Sequence, residues 1–501
     1  MLAVLLAAAA PLSALALGRN TSDHPTPDGY DEHDYQALVA FLDTEDSAGM
    51  KNGDKLAAFW DGEYDPADPE TWRYEGQWGE SAGAFWTDGA VKKLAWLDIN
   101  PNESDYEEKG PIERGYAAPL VGPLDLSGCT ELELLDCGEN ELTYINVSDC
   151  TGLRMLYTDG NMTIEQLKMS GCSALVTLEC SNCGLTELDL EGMTSLETLV
   201  CGRNMIDELD ISDCVSLKKL MISDNPIDHF DISGNQSIER FEAEGCGMTV
   251  LRAENCPELK SVICGYNGLE AVCLNGSGAM EYLHLECNSL TSVDVSGMPE
   301  LRGLDCSVNH LTELDVACCP LLETLSVRVN DISELDLSCN PLLLHLETDF
   351  NPIRELDFSG NPLIPFEGLA AEGSGYVAFS RNWDENWPTA IAQKEQGAKF
   401  VGWYDENGEL ISESPYLYAM DEDENELDFG VVTARFTRLI VPGDVNGSGS
   451  VDTSDALLIL RFAMGLAELD GEQFTAADVN GSGTVDTSDA LAVLRTAMGL
   501  A

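Results

Sequence analysis

The sequence is poor in basic residues. It holds 26 lysine and arginine residues against 89 aspartate and glutamate residues in a chain of 501, so its formal net charge is -63. A charge of this size repels phosphate backbones and anionic membranes, and we expect neither nucleic acid nor a lipid surface as a partner. Because 44% of the residues are hydrophobic, the chain should fold. Its length predicts several domains, and its acidity favours calcium as the relevant cation.

Long apolar runs are also scarce. The first residues, Met1–Leu17, form one that contains the small-residue cleavage pattern Ala14-Leu15-Ala16. The run is shorter than the roughly 20 residues of a spanning helix. Residues 1–18 are therefore predicted to be a signal peptide, which implies that the protein is secreted and that the mature chain has no membrane span. No basic residue precedes it, so either the start is truncated or the n-region is atypical. An N-terminal membrane anchor is the alternative.

Cysteine is abundant, but its number is odd, at 17. In a secreted protein this usage suggests a disulfide framework. Most of these residues instead fall in register with a repeat, and free cysteine packs as a small apolar side chain. The pattern therefore predicts mostly unpaired, buried thiols, and oxidation of a few remains open.

An apolar residue recurs every 21 residues, with one interval of 22, at Leu132, Leu153, Leu175, Leu196, Leu217, Ile238, Leu259, Met280, Leu301, Leu322 and Leu343. Eight residues after each stands Asn or Cys, at Asn140, Asn161, Cys183, Asn204, Asn225, Cys246, Asn267, Asn288, Asn309, Asn330 and Asn351. This is the leucine-rich-repeat signature. Residues 126–364 resemble bacterial leucine-rich-repeat proteins, which implies a solenoid of eleven short parallel strands.

Such solenoids are mostly binding scaffolds, because the outward strand positions vary without disturbing the core. The outward positions form a mixed, acidic surface without a catalytic set, and they are expected to include Tyr157, Glu179, Met221, Glu242, Ile263, Tyr282, His284, Asp305, Arg328, His345 and Glu347. His284 and His345 are interpreted as ordinary surface histidines. The resemblance implies an unidentified protein or surface ligand.

Residues 25–125 are interpreted as the N-terminal cap of the solenoid. The segment has one amphipathic helix around Asp34–Leu42 and five tryptophans, Trp60, Trp72, Trp78, Trp86 and Trp96. A terminal rung exposes its apolar edge unless a cap covers it, and aromatic clusters usually fill cores. A carbohydrate-binding platform built from these tryptophans is the alternative.

Residues 365–440 break the period and read as a small, separate β module. The expected strands are Gly375–Phe379, Ala398–Tyr404 and Val431–Phe436, with a hairpin turn at Asn407-Gly408. The segment resembles the β-grasp-like repeats of internalin B-repeat type, which implies a spacer or adhesive module. Trp403 is interpreted as a core residue.

The strongest chemical signal is a tandem repeat at the C-terminal end, in which two loops lie 34 residues apart. Oxygen-bearing residues occupy loop positions 1, 3, 5, 7, 9 and 12, where calcium loops place their ligands, and Gly occupies position 6. The sequence thus predicts two calcium ions, held by Asp444, Asn446, Ser448, Ser450, Asp452, Asp455, Asp478, Asn480, Ser482, Thr484, Asp486 and Asp489. A helix should follow each loop.

Two departures from the EF-hand pattern stand out. Position 12 is Asp rather than Glu, at Asp455 and Asp489, and no helix is expected before either loop. With both departures, residues 441–501 resemble a type I dockerin, the module that binds cohesin modules of cellulosomal scaffoldins. Dockerins commonly carry Asp at position 5, where Ser448 and Ser482 stand here, so reduced calcium affinity is implied.

The resemblance also implies where a cohesin binds. The contacts fall at loop positions 10 and 11 and on the following helices, at Thr453, Ser454, Leu460, Arg461, Thr487, Ser488, Leu494 and Arg495. These residues are identical between the copies, so two binding orientations related by about half a turn are implied.

The sequence as a whole favours a secreted, non-catalytic binding protein associated with a cellulosome or cell surface. An enzyme is the main alternative, since many dockerin-bearing chains are glycoside hydrolases or proteases. Only about a hundred residues remain for a catalytic domain, which is small, and paired acids there such as Asp61 and Glu63 look like loop residues. The second alternative is a carbohydrate-binding or carbohydrate-degrading component acting through the Trp-rich region.

Overall fold

The computed structural model describes residues 24–57, 64–75, 81–100, 119–381, 387–396, 398–420, 427, 429–438, 441–448 and 450–500. The chain forms two compact units, one comprising Met1–Phe230 and Asn235–Met248, the other Asp231–Gly234 and Thr249–Ala501. Within these described ranges no helix is long and apolar enough to cross a membrane. The signal-peptide prediction for residues 1–18 lies outside them.

The first unit opens with two helices, α1 (Glu32–Leu42) and α2 (Asn52–Ala57), and a 3-10 turn at Pro69–Thr71. Helix α1 begins after Asp31, whose carboxylate accepts hydrogen bonds from the first free backbone N–H groups. Antiparallel strands follow at Arg73–Glu75, Ser81–Trp86 and Leu94–Asp98. The last of these pairs in parallel with the first rung strand, so the segment directly covers the start of the solenoid.

The tryptophans of this segment divide between core and surface. Trp72 is completely buried and its ring lies 5.7 Å from that of Tyr35 and 6.4 Å from that of Trp86. Trp96 is exposed. Trp60 and Trp78, with the paired acids Asp61 and Glu63, lie outside the described residues. The packing of Trp72 is that of a core residue.

The first unit carries six rungs, each with one short strand on its first wall. These strands are Leu134–Asp136, Met155–Tyr157, Thr177–Glu179, Thr198–Val200, Lys219–Met221 and Arg240–Glu242. They pair in parallel, and the central apolar residue of each faces the core. The second wall has a three-stranded parallel sheet of Val121–Asp125, Glu141–Asn146 and Gln166–Lys168. The strand Phe230–Asp231 spans the division between the units.

The second unit carries five more rungs. Its first-wall strands are Ser261–Ile263, Tyr282–His284, Gly303–Asp305, Thr324–Ser326 and His345–Glu347, again in parallel register. Second-wall strands lie at Val250–Arg252 and Ala271–Cys273. With those of the first unit, the first-wall strands number eleven among the described residues, which confirms the predicted solenoid of about 21-residue repeats.

The ladder asparagines hold the turns between rungs. In Asn309 the side-chain Nδ2 donates to the carbonyls of Leu285 and Cys306 at 2.9 and 3.0 Å, and Oδ1 accepts from the Leu290 N–H at 2.9 Å. The same pattern recurs at Asn161, Asn204, Asn225, Asn288, Asn330 and Asn351. Each side chain thus satisfies backbone groups that the turn buries.

A second ladder accounts for some of the cysteines. Cys150 and Cys256 donate their thiols to carbonyls 24 residues back, at 3.1 Å. Ser277 and Asn340 make the same contact in their rungs, at 2.7 and 3.0 Å. A thiol, a hydroxyl or an amide can therefore make this contact, and in two other rungs the buried side chains of Met193 and Met298 fill the position without a donor. All 17 cysteines lie among the described residues, and no two of them are joined by a disulfide there.

Two of the residues expected to point outward are buried. His345 and Glu242 are only 4% and 6% exposed, so the interpretation of His345 as a surface histidine is wrong. The carboxylate of Glu242 forms an ion pair with the guanidinium of Arg240. His345 lies in the last rung, next to the strand that follows the solenoid in the sheet. His284 is half-buried.

The strands predicted after the solenoid are present, but they are not separate from its last rung. Strand Gly375–Arg381 pairs antiparallel with the last first-wall strand, with Leu346 opposite Arg381. Strand Phe366–Glu372 pairs with Glu355–Asp357 of the last rung. The segment therefore covers the open end of the second unit's rungs by continuing their sheets.

Among its described residues, this closing segment has seven strands: Phe366–Glu372, Gly375–Arg381, Thr389–Lys394, Ala398–Tyr404, Leu410–Ser412, Tyr416–Tyr418 and Phe429–Arg438. Trp403 is completely buried, as expected for a core residue. The Asp405–Glu409 turn contains Gly408 at φ 80°, where the left-handed backbone favours glycine. The chain ends with three helices, α3 (Thr453–Ala463), α4 (Gly471–Ala477) and α5 (Thr487–Ala497).

Candidate metal centre and docking helices

Each C-terminal loop leads into a helix that its own residues cap. Asp452 is the N-cap of α3 and Asp486 that of α5, and each begins a reciprocal capping box. A turn at Pro442-Gly443 precedes the first loop. The second loop, however, follows α4, which ends at Ala477, so the prediction that no helix precedes either loop is wrong there. Helix α4 has only seven residues, too few for a hydrophobic period to reveal it.

The position-12 carboxylates organise both loops from inside. Asp455 has no solvent exposure, and its two oxygens accept the backbone N–H groups of Asn446 and Asp452, both at 2.9 Å. Asp489 does the same in the second loop, with Asn480 at 3.3 Å and Asp486 at 3.0 Å. One carboxylate therefore joins loop positions 3, 9 and 12, which brings their side chains to one centre.

Positions 1, 3 and 5 converge on the same centre. The Ser448 N–H donates to Asp444 Oδ1 at 2.9 Å and to Asn446 Oδ1 at 2.8 Å. In the second loop the Ser482 N–H donates to Asp478 Oδ1 and Asn480 Oδ1, both at 2.9 Å. These oxygens lie within hydrogen-bond reach of a single N–H, so one cation can contact both.

Positions 5 and 7 complete the donor set. The Ser448 hydroxyl donates to the Ser450 carbonyl at 3.1 Å, and the Ser482 hydroxyl to the Thr484 carbonyl at 2.9 Å. The position-7 carbonyl is the backbone ligand of a calcium loop. Gly483, at position 6, has φ 77°, the left-handed conformation that turns this carbonyl inward.

The donor chemistry fits calcium. Every predicted ligand offers oxygen, and residues 441–501 contain neither histidine nor cysteine. Hard oxygen donors select calcium or magnesium over zinc or copper. Each loop holds three carboxylates, from Asp444, Asp452 and Asp455 in the first. When bound, the divalent cation would offset two of these three charges and hold the loop against its helix.

The position-11 serines belong to the loops as well as to the surface. The Ser454 hydroxyl donates to Asp452 Oδ1 at 2.5 Å and accepts from Asn446 Nδ2 at 2.8 Å. This contact is the main reason that the pKa of Asp452 is lowered. Ser488 makes the equivalent contacts in the second copy, at 2.6 and 3.1 Å. Sequence reasoning assigned both serines to a partner alone and missed this role.

The predicted docking residues divide between surface and core. Thr453, Ser454 and Arg461 of α3 are exposed, as are Thr487, Ser488 and Arg495 of α5. Leu460 and Leu494 are half-buried and pack against the core formed by residues such as Ile459 and Val493. Only the exposed part of each of these two leucine side chains is therefore accessible to a partner.

Exposed apolar side chains on the same helices were missed. Leu457 and Leu491 are each 55% exposed, and Met464 and Met498 are similarly open. Each leucine lies one helical turn before the copy's exposed arginine, so helical spacing from Arg461 could have revealed it. Helices α3 and α5 therefore expose the same residue types at equivalent positions of the two copies.

Comparisons with known proteins give a family for this segment and a set of similar solved structures. Residues 442–496 match the dockerin type I domain. No curated protein matches the chain. The functional domain of InlJ from Listeria monocytogenes, described as including a cysteine ladder, is 23% identical with a TM-score of 0.45, over 62% of this chain and 77% of that one. A leucine-rich-repeat protein of Leptospira interrogans is 18% identical with a TM-score of 0.25, over 47% of this chain and 84% of that one.

Proposed function

We propose that this chain is an extracellular binding protein that docks through residues 441–501 onto a cohesin module of a scaffoldin and presents its solenoid to a protein ligand. The dockerin type I domain implies a cohesin partner and calcium. The observation that carries the proposal is the pair of all-oxygen loops, each capping a helix with an exposed Thr-Ser pair and arginine. The parallel-strand solenoid supports a binding role.

Two calcium ions, one for each loop, link metal binding to docking. Asp455 and Asp489 are fully buried, and each shares its loop with two further carboxylates. Without a cation these charges repel one another, which favours an open loop. Calcium removes the repulsion and fixes α3 and α5, so binding free energy becomes folding free energy of the module.

The test is cohesin binding by the full chain. An array of type I cohesins is probed by biolayer interferometry in millimolar calcium and again in EDTA. We expect at least one cohesin to bind in calcium, none in EDTA, and recovery when calcium is restored. Isothermal titration should find two calcium ions for each chain. Binding that persists unchanged in EDTA would refute the calcium-dependent module.

The near-identity of the copies supports two binding orientations. Ser454 and Ser488 also hold ligand carboxylates, so substituting them changes the metal site too. A cleaner design replaces the exposed residues Thr453 and Arg461 by alanine, and then Thr487 and Arg495 in addition.

The first double variant should retain cohesin binding through the second copy, and the quadruple variant should lose it. Calcium stoichiometry is the control and should stay at two in both. Loss of binding in the first double variant, with calcium uptake intact, would show a single orientation.

A further inference from the structure

Each of the eleven rungs has one residue with a left-handed backbone immediately before the ladder position. In the first unit these residues are polar or glycine: Glu139, Gly160, Asn182, Arg203, Asp224 and Gly245. In the second unit they are apolar or sulfur-bearing, with φ between 53 and 57°: Tyr266, Cys287, Val308, Val329 and Phe350. We call this second set the apolar ridge.

Backbone preference does not explain the ridge. Glycine and asparagine adopt a left-handed conformation at little cost, whereas a β-branched residue there is a steric outlier. Four of the six residues of the first unit fit that preference, namely Gly160, Gly245, Asn182 and Asp224, whereas Glu139 and Arg203 do not. None of the six is β-branched. Val308 and Val329 violate it in consecutive rungs.

Burial does not explain the ridge either. Val308 and Val329 are 43% and 41% exposed, and Tyr266 and Phe350 are 64% and 65% exposed. These side chains gain little from the core, although their backbones are strained. Strain combined with apolar exposure, repeated on adjacent rungs, is typical of a binding surface.

The ridge is continuous within the second unit. The Val308 N–H donates to the Arg328 carbonyl at 2.7 Å, and the Val329 N–H to the Asp349 carbonyl at 2.9 Å. Neighbouring ridge residues therefore stand on directly bonded rungs. At a strand spacing of about 4.8 Å, five rungs span about 19 Å, the length of about six extended residues.

The surface around the ridge is acidic. The charged residues next to it and on the adjoining strands are Glu286, Asp305, Arg328, Glu347 and Asp349. Arg328 forms ion pairs with the buried Asp349 at 2.5 Å and with Glu347 at 3.8 Å. The remaining negative charge at the surface comes from Glu286 and Asp305, which are half-buried. A ligand that covers the ridge therefore meets apolar side chains bordered by negative charge.

We propose that the apolar ridge binds a polypeptide segment of about six extended residues in which apolar side chains alternate with basic ones. Charge complementarity selects the basic residues, and Val308 and Val329 at the centre of the ridge offer aliphatic contact for apolar side chains. This inference rests on the proposed role of the solenoid as a protein-binding surface and identifies its partner class.

The test uses the full chain and two fluorescent octapeptides, one alternating leucine with lysine and the other alternating serine with lysine. Both peptides carry the same charge, so their affinity ratio isolates the apolar contribution. The ridge variant is Val308→Asn with Val329→Asn. The control is Arg203→Asn with Asp224→Asn, at the same rung position of the first unit, which also leaves the net charge unchanged.

In the unmodified chain the leucine peptide should bind about tenfold more tightly than the serine peptide, as for a small apolar hot spot. The ratio should fall to near one in the ridge variant and persist in the control. Because asparagine tolerates a left-handed backbone, the urea midpoint of the ridge variant should not fall. A ratio that persists in the ridge variant, or is absent from the unmodified chain, overturns the proposal.

Two other occupants are separated by parallel measurements. If sedimentation shows a dimer that only the ridge variant loses, the ridge is a contact between copies. If cellohexaose binding depends on the ridge, it is a carbohydrate site. Either result overturns a protein segment as the partner. Cohesin binding by the same chains stays intact if the docking function is correct, so failure of the ridge leaves that function standing.

Discussion

Replacing Asn309 by alanine tests how the solenoid holds its rungs together. The side chain is 5% exposed and contacts three carbonyls, those of Leu285, Cys306 and Ser307, at 2.9, 3.0 and 3.2 Å. Its two Nδ2 protons satisfy at most two of them fully, and Oδ1 satisfies the Leu290 N–H. Three lost bonds at about 1 kcal/mol each, with buried groups left unpaired, predict a loss of about 3–4 kcal/mol.

The chain supplies its own matched control. Cysteine takes the ladder position at Cys183 and Cys246, where the thiol donates to a carbonyl of the preceding rung at 3.1 and 3.4 Å. Asn309→Cys should therefore keep one donor, lose the acceptor, and cost about 2 kcal/mol. Urea denaturation followed by circular dichroism, in constant calcium, measures both variants. Hydrogen exchange of the Leu290 amide locates the effect.

Two results would contradict this account of the ladder. If the alanine and cysteine variants both lie within about 0.5 kcal/mol of the unmodified chain, the ladder does not carry the stability of the rung. If cysteine is as damaging as alanine, the thiol does not replace the amide donor, and the account of Cys183 and Cys246 fails.

Three further predictions follow from the described contacts. Burial raises the pKa of Asp136 from 3.8 to about 6, so the stability that this group contributes falls as pH rises between those values; Asp136→Asn should stabilise the chain by about 1–3 kcal/mol above pH 6 and less at pH 4, by urea midpoints. Ser448→Asp with Ser482→Asp adds a fourth carboxylate to each loop and should tighten calcium binding about tenfold in isothermal titration; unchanged affinity would argue against position 5 as a ligand. Burial raises the pKa of Cys150 to about 12 and that of Cys172 to about 11, which keeps the thiols protonated, so titration of the denatured, unreduced protein should find more than half of the 17 cysteines free; a single free thiol would indicate a disulfide ladder.

Local patterns were sufficient for the two features that carry the proposed function. The repeat can be recognised in the sequence because each rung contains its own core leucines and its own ladder asparagine, and because each rung contacts mainly its neighbours. The calcium loops can be predicted from the sequence because all ligands of one ion lie within twelve consecutive residues. In the structure, Asp455 bonds to loop positions 3 and 9 of the first loop, and Asp489 bonds to the same positions of the second.

The rest was decided by contacts between distant parts of the chain. Whether residues 365–440 form a separate module depends on the pairing of Leu346 with Arg381, and neither strand encodes its partner. His345 has an outward position by its period, yet it is buried because burial depends on what packs beside the last rung. The apolar ridge, which includes Val308 and Val329, was found only from the φ angles and the exposure of its side chains. The repeat pattern determines which residues face the core, but the backbone conformation and exposure of the other residues depend on how the rungs pack together.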